Sequence, residues 1–346
     1  MFGYVDMMSD TLNNSLSISD LPFIANDNGV RFTLSFFNPT FGTLPRGLNP
    51  PKKNTAGYTG RFGPTPSGPL HFGSLIAALG SYLQAKSQAG RWLVRIEDID
   101  TPRTQPGADS AILTALESFG LQWDGEIWYQ SQRLERYQSI FQQLRQQGLI
   151  YGCQCSRKQI NDGGGIYPGT CQQLGLSAEP LAWRLCSPAA TGFTDLVFGP
   201  QQIDTALAAE HYVVKRRDGL FSYQLVVVVD DWDQGITQVI RGADLLTMTS
   251  RQQHLFRLLG AAAPDYGHLP LAVTAPGQKL SKQNHARPLQ DWPLTQSMAA
   301  ALTVLGHPPP AELAGAPVSE LLAWALGNWQ LRQVPQQLEV RCPDFA

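Results

Sequence analysis

The sequence lacks the features that mark membrane-bound, secreted and strongly basic proteins. Its longest purely aliphatic run, LVVVV at 225–229, is far too short to cross a bilayer. The N-terminal stretch has acidic and polar residues where a signal peptide needs a basic region and a long apolar core. With 26 Lys and Arg against 28 Asp and Glu, the chain has no excess of positive charge for coating a nucleic acid. We therefore expect a cytoplasmic protein without membrane contact, in which any nucleic-acid contact is confined to a local basic patch.

Cysteine is scarce and odd in number, which argues against a disulfide framework. There are five cysteines among 346 residues, and three of them, Cys153, Cys155 and Cys171, lie in one short segment. An odd, clustered set is typical of a metal site or of reduced thiols. Zinc takes four ligands, so three thiolates need a fourth, which Tyr167 or a water could supply. From the spacing alone, zinc and reduced structural thiols both stay open.

The first 57 residues differ in composition from the rest of the chain. They are rich in Asn, Ser, Pro and Gly and show no sustained hydrophobic periodicity. A segment of this kind cannot bury enough apolar surface to order itself, so we expect residues 1–57 to be a disordered extension. Ordered structure is predicted to begin near Tyr58.

A βαβ unit is predicted directly after this extension. YTGRF is predicted to be a strand, LIAALGSYLQAKSQAG has apolar residues at helical spacing and ends at Gly90, and RWLVRIEDID is a second strand. Strands joined by a helix lie parallel, so the unit predicts a parallel sheet. Further helices are predicted near 104–119 and 131–148, in DLLTMTSRQQHLFRLLGA, and in the C-terminal TQSMAAALTVLG and VSELLAWALGNW.

Two regions between these helices are assigned from weaker patterns. Residues 151–171 carry no clear periodicity and are predicted to be loop-like. The segment HYVVKRRDGLFSYQLVVVVDD predicts two strands around Asp218 and Gly219, because this residue pair favours tight hairpin turns. Its aliphatic run does not alternate with polar residues, which indicates a strand buried on both faces.

The loop GPTPSGPLHFGS joins the first predicted strand to the first helix and has the composition of a phosphate site. Its glycines constrain a turn where backbone N–H groups and the dipole of the following helix can receive a phosphate. His71 adds a side-chain donor at the same place. A simple strand–helix turn would have the same composition, so this loop alone does not decide between the two.

A pair of lysines near the C-terminus supplies complementary charge. Lys279 and Lys282 stand in KLSKQ, where they could close over a triphosphate as point charges. An isolated pair of this kind is usually a solvated surface feature. In combination with HFGS about 200 residues earlier, the pair is far more specific.

HFGS and KLSKQ together resemble the HIGH and KMSKS signatures of class I aminoacyl-tRNA synthetases. Ser74 stands in place of the second histidine and Gln283 in place of the final serine. The resemblance implies an enzyme that binds ATP together with Mg²⁺. The residues implied to bind ATP are His71, Gly73, Ser74 and Lys282, and those implied to be catalytic are His71, Lys279 and Lys282.

Four stretches resemble the glutamyl-tRNA synthetase branch of that family over roughly residues 58–290. They are RFGPTPSGPLHFGS, VRIEDID, YQLVVVVDD and VIRGADLL. The resemblance implies a glutamate pocket made of Arg61, Phe62, Gly63, Pro64, Thr65, Glu97, Tyr223 and Arg241. Residue chemistry agrees, since arginine forks suit carboxylates, a carboxylate suits an ammonium group, and a phenol can orient either. For each residue alone, surface ion pairing of the arginines and core packing of the tyrosine are the alternatives.

The same resemblance implies the fold and its divisions. We expect an α/β fold whose Rossmann-like class I synthetase core, with a parallel sheet, is formed by residues 58–124 and 205–290. Residues 125–204 are expected to form an inserted, zinc-bearing acceptor-type subdomain, and residues 291–346 a short helical C-terminal region. YPGTC after the C-x-C pair resembles the zinc-binding insertion of one subfamily, in which Tyr167 would be the fourth ligand of a single structural Zn²⁺ ion.

The expected activity depends on how little chain follows the lysine motif. Only 64 residues follow Lys282, whereas a glutamyl-tRNA synthetase continues with a long helical anticodon-binding domain. The chain thus resembles a catalytic-core subfamily that activates L-glutamate as glutamyl-adenylate without tRNA and transfers it to queuosine in the anticodon of tRNA(Asp). We expect a monomer. The alternatives are a shortened glutamyl-tRNA synthetase that charges the tRNA 3′ end, a non-catalytic paralogue, and an unrelated nucleotidyltransferase.

Overall fold

The computed structural model describes residues 57–186, 190–280 and 287–345. The disordered extension predicted for residues 1–57 lies outside these ranges except for Gly57. The second half of the lysine motif, with Lys282 and Gln283, also lies outside them. Within the described ranges, no helix is both long enough and apolar enough to cross a membrane.

The helices and strands alternate along most of the described chain. The helices are α1 (Phe72–Ser87), α2 (Ala108–Ser118), α3 (Leu134–Gln146), α4 (Arg157–Asp162), α5 (Thr205–Ala209), α6 (Tyr223–Asp233), α7 (Thr249–Leu258), α8 (Leu294–Val304) and α9 (Val318–Asn328). The strands are β1 (Thr59–Phe62), β2 (Arg91–Ile96), β3 (Trp128–Tyr129), β4 (Ile150–Cys153), β5 (Ala182–Leu185), β6 (Gly192–Asp195), β7 (Gly199–Gln202), β8 (Val213–Lys215), β9 (Gln238–Gly242), β10 (Asp265–Leu269), β11 (Leu271–Ala275), β12 (Gln278–Lys279) and β13 (Glu339–Arg341).

The predicted βαβ unit and its parallel sheet are confirmed. Strand β2 pairs in parallel with both β1 and β3, and β9 pairs in parallel with β10. The Thr237 N–H donates to the Thr59 carbonyl (2.9 Å), so β9 begins beside β1. The strands therefore run in the order β3-β2-β1-β9-β10, and the direction of the order reverses between β1 and β9. In open α/β sheets, ligands bind at the carboxyl ends of strands at such a reversal.

Helix α1 covers one face of this sheet and carries the largest hydrophobic core. Leu79 and Leu83 are completely buried there, together with Leu302 of α8 and Leu321 of α9. The C-terminal helices therefore pack on α1, and their predicted positions are confirmed. Helices predicted near 104–119, near 131–148 and before Gly260 are also present, as α2, α3 and α7, each shorter than predicted.

The aliphatic run at 225–229 was predicted to be a strand, and this prediction is wrong. The run lies in α6, which starts after Ser222 and packs against α3 and α7 in a second core. All five residues of the run are at most 1% exposed. A helix that is buried on every side shows no apolar stripe, so hydrophobic period cannot separate it from a buried strand. The turn predicted at Asp218 and Gly219 does occur, with Gly219 at a φ of 89°.

Residues 151–171 are also more regular than the predicted loop. They include most of β4 and the short helix α4, whose start is capped by Ser156 and Gln159 in a reciprocal pair of hydrogen bonds. Strand β4 pairs with β5, and β5 with β8, in an antiparallel sheet. Helix α4 was missed because its six residues are too few to show a helical period.

Candidate active site

A cavity of about 530 Å³ lies at the carboxyl end of β1, where the strand order reverses. Its walls come from the loop after β1, the first turns of α1 and the connection from β10 to β11. The predicted site residues that line it are Phe62, Gly63, Pro64, Thr65, His71, Gly73, Ser74 and Lys279. The structure therefore brings the glycine loop and the first lysine of KLSKQ to one cavity.

His71 caps the start of α1 at this cavity. Its Nδ1 accepts from the Ser74 N–H (3.3 Å), so in the neutral ring Nε2 carries the proton and is a donor. Gly73 allows close approach of the chain after β12, because a Cβ there would lie 3.0 Å from the Leu280 carbonyl oxygen. Leu280 directly precedes the second half of the lysine motif, and the two motifs therefore meet at the start of α1.

Lys279 is held at the rim of the cavity by an acidic residue that the sequence did not single out. Its Nζ lies 2.6 Å from Oδ2 of Asp244, which follows β9 in VIRGADLL. Both side chains are partly exposed. Lys282 lies outside the described residues, so its position relative to this pair stays a prediction.

Four of the five polar residues predicted for the glutamate pocket lie near one another. Arg61 is in β1, Glu97 follows β2, Tyr223 opens α6 and Arg241 is in β9. Burial raises the pKa of the Tyr223 phenol, and the Glu97 carboxylate acts in the same direction, while the Arg241 and Arg61 cations oppose both. The charges of Glu97, Arg241 and Arg61 therefore all affect the pKa of Tyr223 at the carboxyl edge of the sheet.

Arg61 is held by Asp231, a carboxylate that was not predicted from the sequence. Its Nε and Nη2 donate to the two oxygens of Asp231 (3.1 and 3.3 Å), and Arg95 Nη2 donates to the same residue (2.7 Å). Burial by itself raises the pKa of Asp231, but the two guanidinium groups outweigh it and hold that pKa below its usual range. Arg95 also lies 3.6 Å from Glu97 Oε1. The pocket residues thus rest on a buried network of alternating charge.

Glu97 occupies space that only a glycine leaves free. A Cβ on Gly63 would lie 2.9 Å from Glu97 Cδ, closer than carbon atoms pack. Burial raises the pKa of Glu97 to about 7, although Arg95 and Arg61 partly oppose the shift. The carboxyl group therefore changes its charge near neutral pH.

Arg241 is a buried cation with neutral partners. Its Nε donates to His268 Nε2 (3.0 Å), Nη1 to Gln252 Oε1 (2.7 Å), and Nη2 to Thr249 Oγ1 (3.0 Å). Among the residues that the structure describes, no carboxylate forms an ion pair with it. A guanidinium that is 5% exposed without a counter-ion is costly, so this position favours an anionic ligand.

A smaller cavity of about 210 Å³ adjoins the large one. Thr65 and Arg103 line both of them, and Glu97 and Tyr223 line the smaller. Ser222 and Arg216 also line the smaller cavity, and neither was predicted.

The predicted metal ligands are also brought together, in a separate cluster. The Sγ atoms of Cys153, Cys155 and Cys171 lie within 4.8 Å of one another, and those of Cys155 and Cys171 are 3.5 Å apart. The Tyr167 hydroxyl accepts from the Cys171 N–H (2.8 Å), and the Arg184 guanidinium lies 3.8 Å above the tyrosine ring. Three thiols at this spacing fit one metal ion, with the phenol oxygen beside them.

Comparisons with known proteins agree with this geometry. The family model for the catalytic domain of class I tRNA synthetases (E and Q) matches residues 58–166 and 172–303. A protein of Vibrio vulnificus (strain CMCP6) named glutamyl-Q tRNA(Asp) synthetase is 53% identical over 283 residues, which are 82% of this chain and 93% of that protein. A protein of the same name from Pectobacterium atrosepticum is 52% identical over 290 residues, 84% of this chain and 90% of its own.

Solved structures share the fold. The glutamate-tRNA synthetase of Elizabethkingia anophelis matches with a TM-score of 0.68 at 24% identity, over 83% of this chain and 68% of that one. A glutamate tRNA ligase from Elizabethkingia meningosepticum gives a TM-score of 0.66 at 22% identity, over 84% and 67%. The family model covers well over half of the chain, and the named relatives cover more. The chain therefore belongs to the class I tRNA synthetases for glutamate and glutamine and carries the catalytic domain of that family.

Proposed function

We propose that this chain activates L-glutamate with ATP and transfers it to queuosine in the anticodon of tRNA(Asp). The observation that carries the proposal is the buried Arg241, which forms no ion pair with a carboxylate among the described residues, with Arg61, Glu97 and Tyr223 nearby and a cavity at the start of α1. This arrangement suits an amino acid with a second carboxylate held against a nucleotide. The relatives that match most of the chain are named for glutamyl-queuosine formation, which supports the choice of acceptor.

The proposed reaction has two steps. In the first, the α-carboxylate of glutamate attacks the α-phosphate of ATP in line, pyrophosphate leaves, and glutamyl-adenylate forms. In the second, a hydroxyl of the queuosine ring attacks the activated carbonyl, and AMP leaves. Mg²⁺ bound with ATP supplies neutralising charge for the phosphates. The protein contributes position and electrostatic stabilisation, without a covalent intermediate.

The residues predicted to bind ATP each have a proposed part in this chemistry. The His71 Nε2–H and the backbone N–H groups at the start of α1 receive the phosphates, with Gly73 and Ser74 shaping the contact. Lys279 and Lys282 supply positive charge to the leaving pyrophosphate. Lys279 already pairs with Asp244 at 2.6 Å, and an ammonium group has three N–H donors, so it can face a phosphate while that pair is kept.

Glutamate itself is proposed to lie across the edge of the sheet. Arg241 and Arg61 receive its side-chain carboxylate, and Glu97 pairs with its ammonium group, which the Tyr223 hydroxyl helps to orient. The loop from Phe62 to Thr65 closes the pocket toward the nucleotide.

The first test is activation without RNA. Wild-type protein with labelled pyrophosphate, ATP and glutamate should show ATP–pyrophosphate exchange in the absence of tRNA. Glutamine should support exchange at least about 100-fold less well, because its amide carries no charge for the arginine forks. A strict requirement for tRNA, or equal use of glutamine, would overturn the proposed activation.

The acceptor is tested by locating labelled glutamate on RNA. With queuosine-containing tRNA(Asp), the label should stay on the RNA after the 3′ adenosine is removed, whereas tRNA(Asp) without queuosine should stay unlabelled. A shortened glutamyl-tRNA synthetase would put the label on the 3′ adenosine of a glutamate tRNA, and a non-catalytic paralogue would give no labelled RNA.

Glutamate affinity should depend on pH through Glu97. Because burial raises the pKa of this carboxyl to about 7, it is increasingly protonated below neutral pH and loses its attraction for an ammonium group. We expect the KM for glutamate in exchange to be level above pH 7.5 and to rise by up to about tenfold per unit below pH 7. The Glu97→Gln variant should have a raised KM that no longer changes with pH. A wild-type KM that is constant from pH 5.5 to 8 would remove Glu97 from ammonium binding.

We also propose that Cys153, Cys155, Tyr167 and Cys171 hold one structural Zn²⁺ ion within the inserted subdomain, residues 125–204. Bound there, zinc would link β4 to the segment after α4, which contains few apolar residues to order it by burial. Tyr167 is the proposed fourth ligand, since its hydroxyl lies at the backbone of Cys171.

Zinc content gives a direct test with a matched control. Purified protein should contain about one Zn²⁺ per chain. The Cys171→Ser variant should lose the metal and transfer glutamate to tRNA poorly while still forming adenylate. The Cys186→Ser variant should retain the metal, because that thiol lies outside the three-cysteine cluster. Absence of zinc from freshly purified, unchelated wild-type protein would refute the site, and equal loss of both half-reactions in Cys171→Ser would refute its separation from the catalytic core.

A further inference from the structure

A buried chain of three side chains leads from the β6–β7 hairpin to Arg241. Asp195 ends β6 and is 2% exposed, and His268 in β10 is completely buried. The His268 Nδ1 lies 2.6 Å from Asp195 Oδ2, and Arg241 Nε lies 3.0 Å from His268 Nε2. These contacts connect the hairpin to Arg241, a residue of the proposed glutamate pocket.

The direction of the hydrogen bonds fixes the tautomer of His268. An arginine Nε–H can only donate, so Nε2 of His268 accepts and carries no proton. The ring proton is then on Nδ1 and is donated to Asp195. Burial lowers the pKa of His268 despite the opposing effect of Asp195, which keeps the ring neutral at pH 7.

Asp195 is itself held in one orientation by the backbone. Its Oδ1 accepts from the N–H groups of Val197 and Phe198, both at 2.9 Å, in the turn of the hairpin. The Leu196 N–H donates to the Tyr266 carbonyl (2.8 Å), which fastens the hairpin to β10. The carboxylate therefore cannot rotate without breaking several hydrogen bonds.

We infer that Asp195 and His268 are positioning residues that fix the guanidinium of Arg241 without neutralising it, and thereby set the preference for glutamate. This inference rests on the proposed role of Arg241 as a partner of the substrate carboxylate. A carboxylate bonded directly to Arg241 would cancel the charge that the substrate needs. A neutral imidazole between the two holds the guanidinium plane by a hydrogen bond and leaves its charge available.

The chain of contacts Asp195–His268–Arg241 is called the relay below. The Asp195→Asn variant tests the relay at the residue farthest from the proposed substrate. The new amide oxygen can still accept from Val197 and Phe198, which places the NH₂ group opposite His268 Nδ1. That nitrogen must then accept, the ring proton moves to Nε2, and Nε2–H faces the Arg241 Nε–H, donor against donor. We expect the KM for glutamate to rise roughly 10- to 100-fold, the effect of losing one hydrogen bond to a charged group, with a smaller change in kcat.

Two substitutions of His268 separate its two contacts. Glutamine reaches the position of Nε2, where its amide oxygen can accept from Arg241, whereas asparagine reaches only the position of Nδ1. His268→Gln should keep the KM for glutamate within about threefold of wild type, and His268→Asn should raise it roughly 10- to 100-fold. The preference for glutamate over glutamine should fall in His268→Asn and be restored in His268→Gln.

A control separates positioning from general stability. His307, which follows α8, is also buried and stacks on Trp329 at the end of α9, and it lines neither cavity. His307→Asn should lower the Tm about as much as His268→Asn without changing the KM for glutamate. An unchanged KM in both Asp195→Asn and His268→Asn, in active protein, would overturn the relay.

The tautomer can be measured without any activity. In a ¹⁵N-histidine spectrum of the folded wild-type protein, His268 should have a protonated Nδ1 and an unprotonated Nε2, and Asp195→Asn should reverse this. An Nε2–H tautomer in the wild type would overturn the inference even if no exchange were found. Absence of exchange with the expected tautomer would instead count against the proposed function alone.

Discussion

Replacing Arg241 by glutamine should lower kcat/KM for glutamate by about 10³-fold in ATP–pyrophosphate exchange. Truncating one partner of a buried, hydrogen-bonded charge pair costs about 2–5 kcal/mol, and a substrate carboxylate would then face an uncharged group. The effect should be large because Arg241 has no carboxylate of its own among the described residues, so its whole charge is available to the substrate. Discrimination against glutamine should fall by a similar factor, since the amide never paired with that charge.

The control for this variant is Arg257→Gln. Arg257 is exposed in the last turn of α7, on the helix that supplies Gln252 and Thr249 to Arg241. The Arg257→Gln variant should leave kcat, KM and the preference for glutamate unchanged. If Arg241→Gln lowered exchange with glutamate and glutamine equally, the residue would serve the fold or the nucleotide and not the side-chain carboxylate.

Local patterns in the sequence were sufficient to predict the glycine loop and the parallel sheet. The glycine loop, the apolar spacing of α1 and the flanking strands lie within about 40 consecutive residues, so short-range rules describe them. The pocket residues Arg61, Glu97, Tyr223 and Arg241 were identified from motif resemblance, and the structure brings them together. Their individual roles stay predictions.

The supporting residues could not be predicted because their contacts are long-range. Arg61 and Asp231 are 170 positions apart and Asp195 and His268 are 73 apart, so each pairing depends on the order of strands in the sheet. The only local signal was the second carboxylate of VVVVDDW, which breaks an otherwise apolar run. The run was interpreted as a strand, which this carboxylate would have ended; in α6 the carboxylate is instead buried and 2% exposed.

Removing the charge of Asp231 should have the largest effect on stability. In Asp231→Asn, Arg61 and Arg95 would face each other across a neutral amide, and both are at most 4% exposed. Arg61 would lose its carboxylate partner, whereas Arg95 would keep Asp230 at 3.7 Å and Glu97 at 3.6 Å. Leaving the buried Arg61 uncompensated costs about 3–5 kcal/mol of the free energy of unfolding. Urea denaturation should show a lower midpoint with an unchanged m-value, since the surface exposed on unfolding stays the same.

Asp233→Asn is the matched control, two residues further along the same helix. Asp233 also bonds two arginines, Arg133 and Arg136, but all three side chains are 17% to 28% exposed. Water can solvate the guanidinium groups of Arg133 and Arg136 after the substitution, so we expect the free energy of unfolding to fall by about 1 kcal/mol or less. Equal destabilisation by the two variants would show that burial of the Arg61–Asp231–Arg95 group does not set its contribution to stability.

The double variant Asp231→Asn/Arg95→Gln should recover part of the loss of stability, because it removes one of the two cations that repel each other. Such recovery would tie the stability of α6 to the charge balance around Arg95, which also approaches Glu97 of the proposed glutamate pocket.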